Sequence, residues 1–155
     1  VIDPMATDHR PRRAETRLQL VVRSTEIDIN GHVNNAKYIE YLEWGREDWY
    51  ERFGLDHASL LALGAVTVTV NLNVNFRREC RQGESLVVVT RPLRLGRTSF
   101  AMTQEIVTET GEPVIDATVT TVTIDPKTRR PRPVPEPLAA ALVGDEAEGR
   151  SGGVG

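Results

Sequence analysis

Residues 24–38 read STEIDINGHVNNAKY, and eight consecutive positions hold a carboxylate (Asp28), an imidazole (His32), three carboxamides (Asn30, Asn34, Asn35) and a glycine (Gly31). A carboxylate can take a proton from water or attack a carbonyl itself, and the other polar groups can orient either partner. Two short polar side chains stand just ahead of a helical pattern, with Asn34 as the candidate N-cap. A helix N-terminus offers unpaired backbone N–H groups and positive potential, the natural place for an oxygen that becomes anionic in a transition state. By position alone, a loop Asp usually makes a local turn bond. Gly31 is explained equally by a tight turn or by close approach of backbone to substrate. His9 and His57 lie far off in sequence, no ExxH or HxH spacing occurs, and Cys80 is the only cysteine, so no metal site is expected.

Periodicity outlines the elements that hold this segment. Residues 17–23 (RLQLVVR) have strand character, and 27–35 is loop-like. Over residues 36–53, apolar or small side chains recur at Tyr38, Leu42, Gly45, Trp49 and Phe53, while Glu40, Glu43, Glu47 and Glu51 fill other faces. This predicts one long amphipathic helix closed by Gly54. Gly45 at its centre costs about 1 kcal/mol against Ala, which implies that something packs closely there. After a short helical or loop segment to Gly64 the period changes to two. Val66, Val68, Val70, Leu72, Val74 and Phe76 alternate with Thr67, Thr69, Asn71, Asn73 and Asn75, so a long strand with one buried face is expected. Strand-like runs follow at 84–95, 98–108 and 113–124, joined by hairpin-length turns and therefore antiparallel. Strand, long helix and four strands make an α+β fold, in which the helix is covered by a curled antiparallel sheet of about five strands.

The chain of 155 residues, 39% apolar and 26% charged, suits one domain and excludes global disorder. Nineteen basic against 22 acidic residues give a net charge of −3, without the basic excess on which nucleic-acid binding draws. No apolar run approaches the roughly 20 residues of a membrane span, and no signal-peptide core is seen near the start. With one cysteine there is no intrachain disulfide, and a cytoplasmic location is expected. Residues 1–4 precede Met5, a natural initiator, and read as a leftover of expression, with residues 1–14 outside the fold. Five prolines in 125–137 and a polar, Gly-rich end lead us to expect a flexible tail over 126–155, with a short helical pattern at LAAALV. The folded domain is thus expected over 15–125.

Asp28, Asn30, Gly31, His32, Val33, Asn34, Asn35 and Tyr38, in the order DxNGHVNNxxY, resemble the motif of the hotdog-fold thioesterases, in particular the 4-hydroxybenzoyl-CoA thioesterase group and the plant acyl-carrier-protein thioesterases. Strand order carries the resemblance through Ile124. It implies a sheet wrapped around the central helix, a homodimer with a continuous sheet that can pair into a tetramer, and a site at the subunit interface. The substrate implied is an acyl-CoA or acyl-carrier-protein thioester, with no resident cofactor and no nucleic-acid or membrane partner. Asp28 matches the family's catalytic carboxylate, as base or nucleophile, and the backbone N–H near Asn35 its contact to the thioester oxygen. Asn30 and His32 match residues that orient water or hydrogen-bond the carboxylate or carbonyl. Gly31, Asn34 and Tyr38 would border substrate, although Asn34 reads first as a cap and Tyr38 as the start of the buried stripe. Such chemistry needs little acid assistance, because a thiol of pKa about 8.5 leaves as a weak base, so one carboxylate and a good oxyanion site suffice. Another branch of the fold carries its carboxylate on the long helix, which makes Glu43 the reserve, although glutamates on such a helix usually face solvent.

Between residues 77 and 97, six arginines (Arg77, Arg78, Arg81, Arg91, Arg94, Arg97) against two glutamates (Glu79, Glu84) leave a local charge of +4. The planar guanidinium suits phosphate. In this family the nucleotide end of coenzyme A lies near such strands, often reached from the partner subunit, so Arg77, Arg94 and Arg97 are the expected phosphate contacts. Charged strand ends that merely discourage aggregation are the competing explanation. Ser99 matches a recurrent family serine but lacks the GxSxG context of a nucleophile. Three functions follow: an acyl-thioester hydrolase, a hotdog enoyl-thioester hydratase, or a non-catalytic acyl-CoA-binding module. The HVNN context argues against the hydratase, whose pattern spaces its Asp and His differently.

Overall fold

The computed structural model describes residues 14–144, and the expectations for residues 1–13 and 145–155 lie outside them. In chain order it contains β1 (Thr16–Val21), a 3-10 turn (Ser24–Glu26), α1 (Asn35–Arg52), α2 (His57–Ala62), β2 (Val66–Phe76), β3 (Ser85–Leu95), β4 (Ser99–Thr108), β5 (Pro113–Ile124) and α3 (Glu136–Val143). Helix α1 starts where its cap predicts: Asn34 is extended, and its side chain accepts the Ala36 N–H at 2.8 Å. The helix lies so close to the sheet that a Cβ on Gly45 would sit 2.5 Å from Val88 Cγ1 and 3.1 Å from Gln104 Nε2 and Thr90 Oγ1. The fully buried Gln104 stitches the two layers together. Its Nε2 donates to Leu42 O (2.8 Å) and Thr90 Oγ1 (3.0 Å), and its Oε1 accepts from Arg46 Nη1 (2.9 Å).

The sheet order is β1-β3-β4-β5-β2, antiparallel throughout. β3, β4 and β5 form the expected meander. The two strands from the first half of the chain take the edges, with Thr16 opposite Thr90 and Val66 opposite Ile124.

The alternation in β2 does not produce one uninterrupted apolar face. Thr69 pairs with Thr121 and Asn71 with Thr120, so Val70 is an unpaired extra residue, a β-bulge that reverses the facing of everything before it. Leu72, Val74 and Phe76 stand opposite Val119, Ala117 and Ile115 on the helix-facing side, and upstream of the bulge that side is continued by Thr69 and Thr67. Val68 and Val70 are left 36% and 57% exposed.

Under the first half of α1, Tyr38, Tyr41 and Leu42 pack on Leu86, Val88, Ile106 and Ile115. Under the second half, Trp49, Leu60, Phe100 and Met102 pack with Leu138, Ala141 and Leu142 of α3. Ordered structure therefore continues beyond Asp125. Arg132 N–H donates to Thr123 O and Val134 N–H to Arg97 O, both at 2.9 Å, and α3 completes the core. The prolines that argued for a flexible tail occupy an extended crossing and the first turn of α3, positions where a missing N–H costs nothing. Ala14 also belongs to the fold: it is buried, and its carbonyl accepts the Trp49 Nε1–H at 2.6 Å. Among the described residues no helix is long and apolar enough to cross a membrane.

Candidate active site

Residues 27–33 leave the 3-10 turn and double back. Ile27 and Val33 form an antiparallel bridge, Asp28 N–H donates to His32 O (2.9 Å), and Gly31 N–H donates to Asp28 O (3.0 Å). Gly31 takes φ +86°, which L side chains resist, so the turn itself calls for glycine there. Asp28 Oδ1 accepts the Asn30 N–H at 2.9 Å, the local bond ordinary for a loop Asp. That bond uses one oxygen, and among the described residues Oδ2 accepts no hydrogen bond. At the start of α1, Asn34 satisfies the Ala36 N–H with its side chain and the Lys37 N–H with its carbonyl (2.9 Å). The Asn35 N–H between cap and helix has no partner among the described residues. The structure thus brings Asp28, Asn30, Gly31, His32, Asn34 and Asn35 into one tight turn and the helix start that follows it.

His32 does not hydrogen-bond Asp28. Its Nδ1 lies 3.2 Å from Val33 O and its Nε2 lies 3.4 Å from Glu79 Oε2, so the ring ties this turn to the β2–β3 connection. Arg81 of that connection donates from Nη1 to Gly31 O at 3.2 Å. Among the six arginines it is the one that touches the turn directly, and the sequence reading had not selected it.

Glu26 is the second residue that the sequence reading missed. It is 7% exposed, and its Oε1 accepts the Arg23 N–H (2.9 Å) and the Tyr41 hydroxyl (2.6 Å), while its carbonyl accepts the Asn34 N–H (3.0 Å). One residue therefore joins the start of the turn, the cap of α1 and the middle of the apolar stripe. The available signal was the phenol of Tyr41, next to Leu42 of the apolar stripe, which needs a polar partner once buried. Tyr38 lies in the stripe, 2% exposed, with its hydroxyl accepting the Cys80 N–H at 3.1 Å, so it forms core rather than pocket wall.

Burial drives both phenols well above their ordinary 10, with Tyr38 raised further by its contact with Cys80 and Tyr41 by the Glu26 carboxylate. An acid held more tightly protonated in the folded state adds stability that is complete below its unfolded pKa and is lost as pH rises above it, at about 1.4 kcal/mol per pH unit per group. Urea midpoints should be level to about pH 9 and fall from pH 10 upward. Replacing both residues by Phe should reduce that slope to the part contributed by Tyr50, whose buried phenol is also raised, and an equally steep fall in the double variant would contradict the assignment.

The other candidates lie apart. Arg77 Nε is 2.7 Å from Asp116 Oδ2, and this guanidinium, with the Asn75 amide at 2.8 Å, holds the Asp116 carboxyl below its usual range. Arg91 is nearly buried between Glu15 and Glu105. Arg94, Arg97 and Ser99 sit at the far end of β3 and in its turn to β4, where Ser99 O accepts the Gly96 N–H at 2.8 Å. From Ser85, beside the β2–β3 connection, to Arg94 is about 30 Å of strand, so one chain does not bring these three to the Asp28 turn. Glu43 is exposed about 12 Å along α1 from Asn35. It lines a cavity of about 630 Å³ between α1, α2 and the edge of the sheet.

Residues 22–142 match the thioesterase-like superfamily. Over 117 residues the chain is 35% identical to the long-chain acyl-CoA thioesterase FadM of Escherichia coli, covering 72% of this chain and 85% of that protein. Over 116 residues it is 31% identical to the acyl-acyl carrier protein thioesterase ATL2 of Arabidopsis thaliana, covering 74% of this chain and 62% of the relative. The structure of Slr0204, a 1,4-dihydroxy-2-naphthoyl-CoA thioesterase from Synechocystis, superposes with a TM-score of 0.77, covering 83% of this chain and 96% of that one. At 19% identity the likeness to Slr0204 is one of fold, the hotdog arrangement of sheet and helix that the motif implied. The extent of the family match, the curated relatives and the shared fold agree, and the chain belongs to the thioesterase-like superfamily.

Proposed function

We propose that this chain hydrolyses acyl thioesters of coenzyme A or of acyl carrier protein, with Asp28 as its catalytic carboxylate. The observation that carries the assignment is a carboxylate oxygen in the turn and a helix-start N–H directly after it, both without hydrogen-bond partners among the described residues. As a base, Asp28 takes a proton from water as the water oxygen bonds to the thioester carbon. The carbonyl oxygen, now anionic, is met by the Asn35 N–H; the C–S bond then breaks and the thiolate leaves. As a nucleophile, Asp28 displaces the thiolate to form an anhydride, which water cleaves. Asn30 orients water or the carbonyl in either route, while His32, whose ring nitrogens face Val33 O and Glu79, holds the turn in place. Coenzyme A enters as part of the substrate, and the reaction calls for no resident cofactor. Release of free thiol from a panel of acyl-CoAs tests the proposal, and acyl-CoA binding without turnover at any chain length would sink it. The single buried thiol, Cys80, suits the reducing cytoplasm as the compartment.

The working unit we propose is a homodimer. Among the described residues β2 pairs only with β5 and leaves an eleven-residue edge with Val68 and Val70 exposed, a template for a second strand. Ile29, beside Asp28, is fully exposed and offers a further apolar contact. A second chain would also supply Arg94 and Arg97, which one chain holds too far from the turn, as phosphate contacts beside Arg77. Light scattering should give the dimer mass, and the double variant Val68→Lys/Val70→Lys should be a monomer with thiol release lowered at least about tenfold. A monomeric parent protein at micromolar concentration would refute this.

A further inference from the structure

We infer that the cavity between α1, α2 and β2 receives the acyl portion of the substrate and is built for an acyl group bearing a neutral hydrogen-bonding substituent, a hydroxyl or oxo group, rather than for a plain alkyl chain. The inference rests on the thioesterase reading and adds the substrate class to it. The cavity, about 630 Å³, is within the range of small-molecule sites. Its floor is made by Thr67, Thr69 and Thr121. The Thr67 and Thr69 hydroxyls are there because the bulge at Val70 turns the threonines of β2 toward the helix; unbroken alternation from Leu72 would have presented Val70, Val68 and Val66 instead.

The walls repeat the pattern. Arg46 and Tyr50 line the cavity from α1. Arg46 directs one N–H to Gln104 and retains other donors. The Tyr50 phenol is buried, which pushes it up to about 12, and is hydrogen-bonded with Thr67. An alkyl chain that displaced water from the remaining Arg46 donors and from the Thr69 and Thr121 hydroxyls would leave them unpaired, whereas a hydroxyl or carbonyl oxygen replaces the lost partner. A carboxylate is disfavoured by the acidic lining, in which Glu43, Glu47, Glu51 and Asp56 outnumber Arg46 and His57. Leu55 and Leu60 provide contact for the carbon skeleton. The cavity begins about 12 Å along α1 from the Asn35 N–H, so the substituent it recognises is remote from the thioester.

Non-hydrolysable thioethers separate this inference from the catalytic one. Calorimetry would compare S-decyl-CoA with its ω-hydroxydecyl and ω-carboxy counterparts on the parent protein, on Thr69→Val and on Ala58→Trp at the exposed rim. The hydroxyl compound should bind about tenfold tighter than the alkyl one, the gain of one well-made hydrogen bond, and the carboxylate weakest. Thr69→Val should bring the hydroxyl-to-alkyl ratio toward one, and Ala58→Trp should weaken both. Alkyl binding as tight as hydroxyl binding, an unchanged ratio in a folded Thr69→Val, or no binding of either thioether would overturn the assignment. Thiol release from the matching acyl-CoAs is measured in parallel. Turnover without discrimination sinks the cavity assignment alone, whereas discrimination in binding without turnover sinks the hydrolase reading alone.

Discussion

Asp28→Asn is expected to lower kcat/KM for acyl-CoA hydrolysis about 10³-fold, within the range of a lost general base, while the melting temperature stays within about 2 °C of the parent. The two effects separate because the two carboxylate oxygens do different work. Oδ1 accepts the Asn30 N–H and shapes the turn, and an asparagine oxygen keeps that bond. Oδ2 is the unpartnered atom, and an amide NH2 in its place can neither take a proton nor attack carbon. If Asp28→Asn retained activity and Glu43→Ala lost it, the catalytic carboxylate would move to the helix. Single turnovers in heavy-oxygen water test the nucleophilic role: label in the Asp28 carboxylate requires an anhydride cleaved at the Asp28 carbon, whereas label only in the product acid is common to the base route and to an anhydride cleaved at its acyl carbon.

Tyr41→Phe should lower kcat about tenfold to a hundredfold with little change in KM, and destabilise the fold by about 1.5–3 kcal/mol, the loss of a hydrogen bond to a charged group. The phenol gives the buried Glu26 carboxylate a 2.6 Å hydrogen bond and leaves it, when absent, with the Arg23 N–H alone. Glu26 in turn holds the Asn34 N–H, so relaxation there shifts Asp28 and the Asn35 N–H relative to one another. A displacement of about 1 Å between reacting groups is enough for such a loss in rate. Glu26→Ala should be worse in both respects. Assays well below the unfolding temperature decide the matter: a lowered melting point with unaltered kcat would reduce Glu26 and Tyr41 to a structural pair.

Helix α1 was legible because three local signals agree: the cap at Asn34, the apolar stripe and the central glycine, whose close packing on Val88 is what its cost implied. The meander was legible from its short turns. The bulge at Val70 was not, because an extra residue changes facing without changing the alternation of residue types. The short helix at LAAALV was expected, but not its packing into the core, since proline forbids helix interiors but not an extended crossing or a first turn. In the site, the Asp28 turn followed from its motif, but the partners of the arginines depend on which end of a strand lies near which loop. That is a property of sheet order, so Arg81 emerged beside the turn while Arg94 and Arg97 did not.

The sheet order also sets the sequence of events in folding. Strands β3, β4 and β5 close short loops and can condense first, whereas β1 and β2 must find partners far along the chain, at Thr90 and Ile124, and pay a larger closure entropy. Everything placed at the site by the first half of the chain, including the Asp28 turn and α1, is carried in between those two late strands. By closure entropy, the meander is expected to form before the half of the chain that carries the Asp28 turn and α1 docks on it.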